Sequence, residues 1–139
     1  MKPEEKELLK DLSARLPYQV KVSVNGGEES WTLKGIFEGE HTGMMLILEP
    51  SFPSKDASPQ TSNWQLSQCK PYLRPMSSMT KEEYNEVGDL LKAEDPNLNL
   101  DEVMATIEID WLNKNMFDFR GLIDKGRALS TEVFNPYKD

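Results

Sequence analysis

Apolar residues recur along this chain at two periods, and the change from one to the other divides it. Leu8, Leu9, Leu12 and Leu16 stand three or four positions apart behind Pro3, Glu4 and Glu5. Proline at the first helical position and carboxylates in the first turn suit a helix start, so the pattern predicts an N-terminal helix closed by Pro17. The period then drops to two. Tyr18, Val20, Val22 and Val24 alternate with Gln19, Lys21 and Ser23, the pattern of a half-buried strand. Asn25-Gly26-Gly27 tolerates positive φ and predicts a hairpin turn. In the next strand Trp31, Leu33 and Phe37 fall on one face and Thr32, Lys34 and Glu38 on the other. Gly35, on the apolar side, marks a bulge or a close neighbour. After a turn at Gly39–Gly43, Met44–Leu48 is apolar throughout and predicts a strand covered on both faces. An antiparallel meander accounts for these strands.

Residues 50–63, rich in Pro, Ser, Asp and Lys, read as a mobile loop, with Trp64 and Leu66 as an anchor on a short edge strand beyond it. Pro71 and Pro75 keep the next stretch out of helix, so residues 70–80 read as a connecting strap. Thr80 and Glu83 have the spacing of a capping box, and Tyr84, Val87, Leu90 and Leu91 continue as a helix to about Ala93, before Asp95-Pro96-Asn97. From Asp101 to Lys114, Leu100, Val103, Met104, Ile107 and Trp111 form one stripe and Ala105, Ile109, Leu112 and Met116 another, nearly opposite. A helix apolar on two sides is expected between two layers, as the central core helix. Asp118 then caps a short helix carrying Phe119, Leu122 and Ile123, with Gly126 at its end. The expectation is one α+β domain: an N-terminal helix, a small antiparallel sheet of about three to four strands that can curl into a barrel-like form, and a helical half over residues 81–139.

Charge changes this picture more than composition does. With 139 residues, 37% of them hydrophobic, the chain can bury one core. No apolar run approaches the ~20 residues of a membrane helix, and the first residues carry no secretory pattern, so a cytoplasmic protein is expected. The single cysteine, Cys69, cannot form an internal disulfide. Between Lys81 and Asp110 ten carboxylates face two lysines, so this region alone carries the chain's net charge of −8. Phosphate backbones are repelled there, which argues against direct nucleic-acid binding.

Candidate chemistry is sparse. His41 is the one histidine, beside two turn glycines, with no Cys or second His at ligand spacing; it reads as a solvated turn residue. Cys69 has no nearby base, and Ser77 and Ser78 lack a partner histidine and serve as helix-entry residues. Glu82 with Glu86, and Glu102 with Asp110, are pairs that could serve glycoside hydrolysis or magnesium binding, though a solvated helix face explains them as well. Trp31, Trp64 and Trp111 read as core anchors. Tyr72 and Arg74, in a proline-held extended segment, can either face a partner or act as scaffold, Tyr72 inward and Arg74 on an acid of the following helices. Arg120 has Asp124 at i,i+4. No catalytic, cofactor or metal residues are assigned. The candidate interaction surface is Tyr72, Arg74, Glu82, Glu86, Asp89, Glu102 and Asp110.

Several blocks together resemble a group of small proteins encoded by phages, prophages and mobile elements of gut bacteria. They are Lys10–Tyr18, Leu33–Ile36, Lys70–Thr80 (KPYLRPMSSMT), Asp110–Lys114 and Phe117–Gly126 (FDFRGLIDKG). Members of that group usually carry histidines where this chain has Asn115 and Met116, and often Tyr in place of Phe119. The resemblance implies a phage or mobile-element setting and no particular activity. The expected role is a non-enzymatic accessory protein working through contacts with a phage or host protein, without direct nucleic-acid or membrane binding. An acidic inhibitor imitating nucleic-acid charge is the alternative, and a magnesium- or manganese-dependent enzyme a third.

Overall fold

The computed structural model describes residues 1–51, 61–92 and 108–138, with side chains assigned outside 90–92. Its centre is a six-stranded sheet: β1 Lys21–Val24, β2 Ser30–Gly39, β3 Gly43–Pro50, β4 Ser62–Gln65, β5 Cys69–Leu73 and β6 Leu129–Ser130, in the order β4-β3-β2-β1-β5-β6. All neighbours run antiparallel except β5 and β6, which are parallel. Helix α1, Pro3–Arg15, covers one face through Leu8 and Leu12, which join Val20, Val22, Leu33, Leu46, Leu48 and Leu73 in the main core. The order is linear, with β4 and β6 at the edges and no pairing between them among the described residues, so the barrel-like form does not arise.

This corrects the expected sheet of three to four antiparallel strands followed by a helical half. Two local causes account for the difference. Pro71 made the segment look like a strap, yet β5 lies inside the sheet. Pro71 stands opposite Val22, and β6 begins only alongside Tyr72, so no neighbour there requires the missing N–H. Further on, Asp118 does cap, its carboxylate accepting from the N–H groups of Leu122 and Ile123, but no helix follows. Gly121 (φ 72°) and Gly126 (φ 73°) are left-handed, and residues 119–127 form successive turns that lead into β6.

In β2 the register shifts between Leu33 and Gly35, so Lys34 bulges and the faces exchange beyond it. Leu33 and Ile36 therefore face the core, whereas Phe37, expected beside Leu33, is 37% exposed. Gly35 lies across from Ile47, where a β-carbon would come within 3.1 Å of the Ile47 side chain. On β3 only Leu46 and Leu48 are fully buried; Met45 and Ile47 are half-buried, so its second face has shallow cover.

Helix α2, Lys81–Lys92, starts at the expected capping box: Thr80 Oγ1 accepts from Glu83 N–H, and Glu83 Oε1 from Thr80 N–H. Val87 packs on a smaller cluster of Trp111, Leu112 and Phe117. The described part of the next helix, residues 108–114, supplies Trp111 and Leu112 to that cluster but leaves Ile109 44% exposed, so it is not sandwiched between layers. The remainder of that helix, the break at residues 95–97 and most of the loop expected over 50–63 lie outside the described residues.

Candidate binding site

Tyr72 and Arg74 follow from the strand that carries them. Tyr72, on β5, is buried against Phe134, ring centroids 5.7 Å apart. Arg74 continues β5 by exchanging backbone hydrogen bonds with the next segment: its N–H donates to Met116 O (2.7 Å) and its carbonyl accepts from Asp118 N–H (2.8 Å). Its guanidinium lies 4.1 Å above the Phe117 ring and donates to both carboxylate oxygens of Glu83 at 2.6 and 2.7 Å, and to Ser78 O. This fork fixes the start of α2 to the sheet. The guanidinium, with help from the Thr80 N–H, holds the Glu83 carboxyl down to about 2.

Glu82, Glu86 and Asp89 are exposed at positions i, i+4 and i+7 of α2, on a flank turned away from Val87. Asp110 is also exposed, and Glu102 lies outside the described residues. Thus the structure brings Glu82, Glu86 and Asp89 together on one helix flank, ties Arg74 to the start of that helix and buries Tyr72 elsewhere, against Phe134 and β6. Cys69 is buried in the main core with its Sγ 3.5 Å from Gln65 O, and burial pushes its thiol up to about 11, which leaves little thiolate near neutrality. His41 is exposed in its turn, and among the described residues no three of His, Cys, Asp and Glu gather as a metal-holding group.

A buried ionic cluster has no counterpart in the sequence reading. Asp11 and Arg15 face each other one turn apart on α1, both fully buried, with Arg15 Nε and Nη2 each 3.0 Å from the carboxylate. Arg15 Nη2 also donates to Phe117 O at 2.6 Å. Arg120 does not pair with Asp124; it reaches Asp11 instead, Nη1 to Oδ1 2.6 Å, and lies 4.2 Å above the Phe119 ring. Two guanidiniums thus share one carboxylate, and Arg15 Nη1 is buried without a partner.

Beside this cluster the chain forms an open cleft of about 640 Å³. One wall is the corner at Arg74, Ser78 and Thr80, a second is Lys114–Met116, and a third comes from Thr131 to Lys138. Met116 holds a left-handed backbone (φ 62°) there. Tyr137 closes the inner end: its hydroxyl donates to Tyr72 O (2.8 Å) and accepts from Lys21 N–H (2.9 Å), bridging β5 and β1 where their direct pairing stops. Burial raises the Tyr137 phenol well above its ordinary value. Sequence spacing could not assemble this cleft, because its walls are separate segments and the residues from Ser130 onward show no apolar period.

Compared with protein-family models, curated proteins and solved structures, the chain matches none of them. No helix among the described residues is long and apolar enough to cross a membrane.

Proposed function

We propose that this chain is an accessory binding protein of a phage or mobile element, working through contact with a basic protein partner at the acidic flank of α2. The observation that carries this reading is the exposed row Glu82, Glu86 and Asp89 on a helix anchored at its first turn by the Arg74–Glu83 fork. Successive carboxylates stand roughly 6 and 4.5 Å apart along the axis at 1.5 Å rise per residue, a fixed linear array of charge. Such an array speeds encounter with a cationic surface and discriminates against acidic ones. The helix keeps its array in register because Val87 and Glu83 hold the opposite side.

Affinity capture from host cells carrying the element tests this, comparing the natural chain with an E82K/E86K/D89K variant. A stoichiometric basic partner is expected with the natural chain, weakened roughly tenfold or more by reversal, in a salt-dependent manner. Equal capture by both proteins, or none by either, ends the proposal. Adding duplex DNA to the captured complex shows whether the partner's nucleic-acid surface is the one occupied: displacement identifies the charge-mimicking form of the same role.

A further inference from the structure

The cleft walled by Arg74, Lys114 and Lys138 is chemically unlike the rest of this acidic chain. Three cations line it against one carboxylate, Glu132, in a protein whose net charge is −8. Arg74 is occupied by Glu83, but neither Lys114 nor Lys138 makes an ion pair among the described residues. Both lysines are exposed where they line the cleft.

The surroundings add to this field. In the Asp11–Arg15–Arg120 cluster two guanidiniums face one carboxylate, with the buried Asp118 carboxylate close by in the chain, and Arg15 donates to the carbonyl of Phe117, next to Met116 in the cleft wall. A buried charge is screened little by salt, so its potential extends into an adjoining cleft. Neutral donors complete the lining: Asn135 uses Oδ1 to accept from Tyr137 N–H, leaving its amide N–H groups for other acceptors. At about 640 Å³ the cleft has the size of ordinary small-molecule sites.

We propose that this cleft binds a small anion bearing a phosphate or carboxylate group, with Lys114 and Lys138 as its charged contacts and Asn135 as a neutral donor. The anion offsets the two lysine charges that line the cleft. This site is separate from the acidic flank of α2, so it stands or falls without it.

Amide NMR of the full chain, titrated with inorganic phosphate and separately with citrate at matched ionic strength, tests the proposal. Saturable shifts confined to residues 114–116 and 131–138 are expected. K114E/K138E should weaken them roughly tenfold or more, the scale of losing a charge-assisted hydrogen bond. Response to phosphate alone, citrate alone or both identifies the group recognised. Absence of saturation with both anions overturns the proposal, as do shifts scattered over unrelated surface lysines or retained in full by the double variant. If that variant's spectrum departs from the native one, N135D provides the second comparison: weakened binding supports the site and unchanged binding rejects it.

Discussion

At the scale of single residues, the stabilising polar contacts combine near neighbours, such as Asp11 with Arg15, with positions far apart in the chain, such as Asp11 with Arg120. Asp11 is the only carboxylate in contact with Arg15 and Arg120 among the described residues. Removing one partner of a buried ion pair is costly because the other remains without compensation. Asp11→Ala is accordingly expected to lose about 3–5 kcal/mol of stability, measured by urea unfolding, as that principle indicates for buried pairs. Glu83 gives a second residue-scale expectation. Its pKa falls from 4.5 to about 2 on folding, so its contribution is present above pH 4.5 and is lost as pH drops toward 2. The difference in urea midpoint between the natural chain and Glu83→Gln should therefore narrow across that window. The Arg74–Glu83 pair and the Thr80–Glu83 box were legible in the sequence, whereas the Asp11 cluster was not. Arg120 has an acid one helical turn away at Asp124, whereas its partner Asp11 lies 109 positions back.

At the scale of elements, legibility followed the strength of the local signal. Pro3, the leucine spacing and the Thr80–Glu83 box placed α1 and the start of α2 correctly. The Asn25-Gly26 turn also forms as read, with left-handed φ of 51° and 71°. Where tertiary pairing decides, the signal failed. β6 is two residues long and has no period to detect, and β5 was hidden by a proline that the sheet accommodates through the late start of β6. Gly35 did mark the bulge, but the alternation alone placed Phe37 rather than Ile36 on the core side beyond it. The cap itself is open to measurement. Thr80→Ala removes the hydroxyl that accepts from Glu83 N–H and should cost about 1 kcal/mol. Thermal unfolding followed by circular dichroism would register the loss, and no change would mean that the Arg74 fork alone secures α2.

For the molecule as a whole, distant segments hold one another in place. Lys125 and Arg127 reach Glu7 and Glu4 on α1, while Tyr137 bridges β1 and β5. The surface ion pairs contribute little individually. Tyr137 matters more, because Tyr137→Phe leaves the Lys21 N–H and the Tyr72 carbonyl without their partner. A loss of about 2 kcal/mol is expected on the scale of unsatisfied buried groups, read from denaturant midpoints; a loss near zero would show that water replaces the hydroxyl.

That bridge also bears on how the protein is made. A side chain from position 137 completes the join between strands that leave the ribosome more than sixty residues earlier. During synthesis, α1 and the β1–β4 meander can form as soon as they emerge. The junction between β1 and β5 stays incomplete until Tyr137 clears the exit tunnel. Quality control therefore meets a nascent sheet in which β1 and β5 can already pair over Val22–Val24 and Cys69–Pro71, while the end of that seam still lacks its Tyr137 bridge.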